Sequence, residues 1–395
     1  MSLNNNIAMA KKPFSLGIIG GGQLALMLVE AANERGKKVC VQTKSKQDPG
    51  SMKADSVIPA DPLHLQGNIN LMEVSERIIF ENEWVHIDQL KLTGFDEFFI
   101  PSLSSIEPLV DRISQKRFLK KLNLPSPRWI TIKDFKSLTQ ADQLNWKLPL
   151  MAKSFKGGYD GKGNKKINNS EELRIFISSI ESDEWLLEEW IEYENEFALV
   201  GSRDFDGRIR LFPMVETFQS NNVCDWVISP ADINYEFNQF SLNIFSSIVN
   251  ELNYVGVLGI EFFYGKDGLQ VNEIAPRTHN SGHFSIEACS SSQFDQQICI
   301  SSGIQTPEIK MTTPGALMIN LLGLVNNQTT VDERINKLSK IKGAHVHWYG
   351  KTTETKGRKM GHVTFLLNEK NHEDRLERSK EIINIVRKIW PSPHH

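Results

Sequence analysis

Lys153-Ser154-Phe155-Lys156-Gly157-Gly158-Tyr159-Asp160-Gly161-Lys162-Gly163-Asn164 packs four glycines and three lysines into twelve residues behind an apolar strand. Glycines let backbone amides approach a phosphate closely, and lysines supply charge to hold it. No Gly-Lys-Ser/Thr opens a helix here, so the segment is not a Walker loop. It lies between strands, as a flexible flap over a triphosphate requires, and a plain hairpin turn needs fewer glycines. Lys153, on the strand before the flap, places its ammonium against bridging phosphate oxygens; the competing reading is an edge-strand lysine facing water.

Downstream, Glu188-Glu189-Trp190-Ile191 ends a strand and Glu196 follows. Backbone groups there are placed to read an adenine edge while a carboxylate accepts ribose hydroxyls. Glu261 and the pair Asn272-Glu273 flank the hairpin turn Gly265-Lys266-Asp267-Gly268, and hard oxygen ligands of this kind hold magnesium against nucleotide phosphates. Cross-strand carboxylates otherwise repel. The four-residue loop by itself sets Glu261 opposite Asn272, and opposition to Glu273 needs a one-residue bulge. Arg277-Thr278-His279-Asn280-Ser281-Gly282-His283 comes next, a loop suited to an anionic, hydroxylated substrate. Lys351 and Arg358-Lys359 flank a polar loop that suits a terminal phosphate if it folds back on the site.

Upstream, Phe14 to Ile19 reads as a buried strand, Gly20-Gly21-Gly22 as a turn, Gln23 to Arg35 as a helix and Val39-Cys40-Val41 as the next strand. This opens a parallel α/β sheet. Gly20, Gly22 and Ala25 fit a dinucleotide fingerprint, but Gln42 stands where the ribose-binding acid belongs, which argues against a nicotinamide oxidoreductase. The turn is left with two readings, a cradle for another ligand's phosphate or tight strand-to-helix packing. Helices are expected at Leu109 to Leu122, Ser170 to Ser179 and Asn238 to Leu252. Domains are expected at 14–110, 111–312 (with a lid subdomain at about 129–192) and 313–395.

The chain has 395 residues, 40% of them hydrophobic and 24% charged, with a formal net charge of -3. No basic block would release counterions from a nucleic acid, and Lys116-Arg117 and Lys120-Lys121 read as solvated helix faces. No apolar run approaches the ~20 residues that span a bilayer, and Met1 to Lys12 lacks a signal-like core, so a cytoplasmic location is expected, without nucleic-acid or membrane partners. Cys40, Cys224, Cys289 and Cys299 form no CxxC pair and are expected to be reduced thiols.

The order of these motifs resembles ATP-grasp enzymes, and among them the N5-carboxyaminoimidazole ribonucleotide synthases, from about Leu16 to Thr364. The most specific parts are Gly157 to Gly163, Asn272-Glu273-Ile274-Ala275-Pro276-Arg277, His279 to His283 with Ser292-Gln293-Phe294, and Gly357-Arg358-Lys359-Met360-Gly361-His362. The resemblance implies an α/β and α+β chain: an ATP-grasp fold with an N-terminal Rossmann-like (pre-ATP-grasp) domain and a small C-terminal domain. It implies that ATP phosphorylates bicarbonate to carboxyphosphate, whose carbon dioxide carboxylates the amine of 5-aminoimidazole ribonucleotide. Nucleotide contacts are implied at Arg112, Lys153, Gly158, Tyr159, Asp160, Gly161, Lys162, Gly163, Asn164, Glu188, Glu189, Trp190, Ile191, Glu196, Gln219, Asn272 and Glu273. Magnesium is implied at Glu261 and Glu273. Substrate contacts are implied at Glu83, Tyr159, Asp160, Arg277, His279, Asn280, Ser281, Lys351, Arg358 and Lys359, with Glu81 the alternative to Glu83. Arg277, Asp160 and Lys153 carry the catalytic roles. A homodimer is implied, with N5-carboxyaminoimidazole ribonucleotide mutase as pathway neighbour. Ala25-Leu26 and Thr278 depart from the family's usual glycine-arginine and proline. The formate-dependent glycinamide ribonucleotide transformylase is the nearest rival and usually carries a different run at Asn280-Ser281-Gly282-His283.

Overall fold

The computed structural model describes residues 12–155, 163–180, 184–221, 223–325 and 329–393. Strands β1 (Phe14–Ile19), β2 (Val39–Thr43), β3 (Ser56–Pro59) and β4 (Ser75–Phe80) form a parallel sheet in the order β3-β2-β1-β4. All five residues of β2 are buried, as expected for a parallel strand covered on both faces. The helix Gln23–Glu34 buries Leu24 to Val29 without interruption. A helix that is apolar on nearly every side is covered on nearly every side, and here its residues share one core with Phe294, Ile298 and Ile300 of the central region.

A second sheet consists of β5 (Trp129–Thr131), β6 (Leu150–Ser154), β7 (Asn164–Ile167) and β8 (Trp185–Glu189), antiparallel in the order β5-β8-β6-β7. With the helix Ser170–Ser179 it encloses its own core of Ile132, Phe135, Trp146, Leu150, Ile167, Phe176 and Leu187. These elements occupy the stretch in which a lid subdomain is expected.

The remaining strands are β9 (Tyr193–Arg203), β10 (Ile209–Leu211), β11 (Val215–Ser220), β12 (Val223–Ser229), β13 (Gly256–Gly265), β14 (Gly268–Ala275), β15 (Gly315–Leu322), β16 (Ala344–Trp348) and β17 (Lys359–Leu367). They form one sheet in the order β14-β13-β9-β11-β12-β15-β17-β16, with β10 on β9. Because β12 pairs with β15, the sheet runs unbroken across residue 312, and the C-terminal segment extends the central sheet rather than standing apart from it.

Helix starts move with their caps. The helix expected from Leu109 begins at Arg112, because the Asp111 side chain accepts from Ser114 N. The one expected from Asn238 begins at Tyr235, because Asn234 accepts from Phe237 N. Gln115 then ties the first of these to β14: its amide oxygen accepts from Ile274 N and its nitrogen donates to Ile274 O. Among the described residues, no helix is long and apolar enough to cross a membrane.

Candidate active site

A cavity of about 890 Å³ lies between the lid, the ends of the first sheet and the face of the large one. On the lid side, β6 is flanked by both β7 and β8, so Lys153 is not on an edge strand. Its ammonium lies 2.6 Å from Glu188 Oε2 and 3.2 Å from Asn272 Oδ1. The other oxygen of Glu188 is 2.9 Å from Lys116 Nζ. Lys116 is therefore not on a solvated face: only 3% of it is exposed. Burial pushes the Glu188 carboxyl up, but Lys116 and Lys153 outweigh it and hold the pKa at about 2.

On the floor, Glu261 of β13 sits directly opposite Glu273 of β14, with the register shifting between Glu261 and Phe262. The bulge that this pairing needed is present. Burial, then the charge of Glu273, pushes the Glu261 carboxyl up to about 8. Asn272 Nδ2 is 3.4 Å from Glu261 Oε2. His279 Nε2 is 3.4 Å from Glu261 Oε1, and burial, then Arg277 and Lys359, bring that imidazole down to about 3, so it is neutral. Gln293 buckles the loop: it accepts from His279 N, donates to His279 O and meets His283 Nδ1 at 3.0 Å.

The first sheet contributes two acids. Glu83 pairs with Arg277 through Nε at 2.7 Å and Nη2 at 3.4 Å. Glu81 accepts from Gly22 N at 2.6 Å, where it occupies the amide end of the helix Gln23–Glu34. The amide of Gly22 therefore holds the chain's own carboxylate. Gly20 has to be glycine, since its φ is +112 and a Cβ there would lie 2.6 Å from Glu81 Cβ. Gln42 is fully buried and hydrogen-bonded to Asp61 O and Asn68, which removes it from any ribose-binding role.

Lys351, Arg358 and Lys359 fold back to the rim of the same cavity. Lys351 donates to Lys359 O and Arg358 to Thr353 O, and the loop between them is anchored where Arg334 forks onto Glu354 at 2.6 and 3.0 Å. Arg112, which donates to Ser154 O, also reaches the wall, as do Asn164, Glu189, Trp190 and Ile191. Glu196, sharing hydrogen bonds with Tyr193 and Gln219, lines it too, and burial raises its pKa.

Of the expected contacts, Gly158, Tyr159, Asp160, Gly161 and Lys162 lie outside the described residues. Gly163 accepts from Ser154 N and is off the wall. Ser281 sits behind it, bonded to His279 Nδ1 at 2.8 Å. Sequence reading missed Lys116, although helical spacing puts it on the face of Ile113 and Leu119, which are buried. It also missed the wall residues Cys224 and Phe263, for which no local signal exists.

A polar cavity between a small lysine-bearing sheet and a large sheet bearing paired carboxylates defines an ATP-grasp ligase. The ATP-grasp domain model matches residues 117–294, the ribonucleotide synthetase preATP-grasp domain 14–107, and the phosphoribosylaminoimidazole carboxylase C-terminal domain 316–376. N5-carboxyaminoimidazole ribonucleotide synthase of Synechococcus elongatus is 38% identical over 96% of each chain. The structure of N5-carboxyaminoimidazole synthetase from Staphylococcus aureus complexed with ADP superposes with a TM-score of 0.83 at 33% identity, over 94% of this chain and 98% of that one. The Aspergillus clavatus synthase, in complex with ADP and 5-aminoimidazole ribonucleotide, gives 0.83 at 25% identity, over 95% and 99%. The chain belongs to the N5-carboxyaminoimidazole ribonucleotide synthase family. Its activity is the ATP-dependent carboxylation of 5-aminoimidazole ribonucleotide to N5-carboxyaminoimidazole ribonucleotide in purine biosynthesis.

Proposed function

We propose that the cavity performs this carboxylation with magnesium and bicarbonate, and that its charged clusters divide the work. The observation that carries the reading is the meeting, in one cavity, of a lysine-rich cluster at Glu188 and a carboxylate pair at Glu261 and Glu273. The pair fits a divalent cation: two hard oxygen donors face each other across a ladder, and burial, then the facing charge of Glu273, pushes Glu261 up to about 8. Among the described residues no third acidic, histidine or cysteine ligand joins them, so the remaining positions fall to phosphate oxygens and water. Bound there, magnesium would neutralise charge on the transferring phosphoryl group.

Lys153 would hold the polyphosphate. The strand end at Glu189 to Ile191 would read the adenine through its backbone, and Glu196 would accept from the ribose. A bicarbonate oxygen attacks the γ-phosphorus and ADP leaves; the carboxyphosphate formed breaks into carbon dioxide and phosphate. The amine nitrogen then bonds to that carbon and loses its proton. Arg277, held by Glu83, would stabilise negative charge that develops on the carboxyl group, while Lys351, Arg358 and Lys359 would take the ribonucleotide's phosphate. His279, Asn280 and the residues Tyr159 and Asp160 would complete the substrate contacts. Division at about 110 and 312, a homodimer, a cytoplasmic location and a mutase consuming the product belong to the same reading.

ADP release from ATP, magnesium and bicarbonate tests it, with and without 5-aminoimidazole ribonucleotide, and with glycinamide ribonucleotide plus formate in parallel. Stimulation by the imidazole alone supports the reading; dependence on formate would move the substrate to the transformylase pair.

A further inference from the structure

Lys116 lines no part of the cavity, yet it is among the most deeply buried charges in the chain. Its ammonium meets Glu188 Oε1 at 2.9 Å, with side-chain exposures of 4% and 3%. The two side chains form a buried ion pair, so what Lys116 contributes is chiefly charge. Glu188 meets Lys153 on its other oxygen at 2.6 Å. Of the two lysines, only Lys153 reaches the wall.

Counting charge decides what the arrangement does. Glu188 and Lys153 alone would form a neutral pair, and the ammonium at the wall would be consumed by its own neighbour. With a protonated Lys116 behind it, favoured by Glu188 against the burial that lowers its pKa, the three groups sum to one net positive charge. In a site of low dielectric an uncompensated charge acts strongly on whatever enters. Glu188 in turn fixes where that charge sits, since it holds Lys153 between its own carboxylate and Asn272 Oδ1. Helix Arg112–Lys121 delivers Lys116 to this place because Gln115, its neighbour, is bonded to both the N–H and the C=O of Ile274 on β14.

We propose that Lys116 is a positioning residue for nucleotide binding: it neutralises Glu188 from behind, leaving the charge of Lys153 for the polyphosphate. This rests on the reading of Lys153 as a phosphate contact. Lys116 touches neither nucleotide nor substrate and acts through Glu188.

Calorimetric titration of ATP, with adenosine as a ligand lacking phosphates, tests the inference. Lys116→Met removes the charge at nearly constant length. Unpairing a buried carboxylate can prevent folding, so Lys116→Gln, which keeps a donor for Glu188, is the second variant. In either, the ATP dissociation constant is expected to rise about tenfold while that for adenosine stays unchanged. In the paired variant Lys116→Met/Glu188→Gln, both partners are neutral, Lys153 keeps its charge, and ATP binds more tightly than in Lys116→Met alone. ATP affinity unchanged in the single variants, an equal loss for adenosine, or no recovery in the paired variant would each overturn the inference. Lys153→Met separates it from the reading beneath. If that variant binds ATP like the parent, the phosphate reading fails; if it binds weakly while both Lys116 variants bind normally, only the role of Lys116 falls.

Discussion

Two clusters of buried charge meet at Asn272, which accepts from Lys153 on one side and approaches Glu261 on the other. Each contains a carboxylate that burial pushes up, Glu188 enclosed in protein and Glu261 with 31% of its side chain open to the cavity, and the two behave oppositely. Glu188, with a lysine on each oxygen, stays ionised down to about 2; Glu261, facing Glu273, is pushed up to about 8. Burial penalises charge in both places, so partners and not depth decide the outcome. A surplus of positive charge beside a surplus of negative charge is an incomplete arrangement, and a polyanion carrying a divalent cation completes both halves at once.

The largest expected effect comes from the negative half. Glu273→Gln should lower turnover by about a thousandfold or more, measured as ADP release; a fully active variant would end the metal assignment and with it the contrast. In the positive half, Lys153→Met should cost about a hundredfold in kcat/KM for ATP, and a loss confined to the ribonucleotide's KM would put the lysine on the wrong ligand. Lys359 lies at the rim, outside both clusters. Lys359→Ala should raise the KM for the ribonucleotide about tenfold with kcat nearly unchanged; an equal fall in kcat would draw the rim into the chemistry.

The smallest effect is on stability. The Glu188 carboxyl is lowered from its ordinary 4.5 to about 2 by folding, so its ion pairs stabilise fully above 4.5 and are lost as pH falls toward 2. The difference in urea midpoint between the parent and Glu188→Gln should be level from pH 7 to about 5 and narrow below 4.5. A difference that ignores pH would show that shape, not charge, holds the cluster.

Much of this was legible because it is local. The four-residue turn at Gly265 to Gly268 confined the Glu261 register to two choices, which the bulge beside Phe262 resolves. Helix ends were less legible, since Asp111 and Asn234 cap later or earlier than the apolar pattern starts. What escaped was the long-range pairing. Lys116 and Glu188 are 72 positions apart in the chain, and nothing near either residue reports the other. Likewise the three N-terminal glycines mark a place where something approaches closely, but not that Glu81, brought in on the neighbouring strand, is what approaches.

The lid encloses its own apolar core, while Lys116 and Asn272 of the body grip it through Glu188 and Lys153, and Arg112 through the carbonyl of Ser154. Its attachment at these points is thus made of ions and amides, not of grease. Parting such a seam wets charges that water welcomes while the apolar interior on either side stays dry.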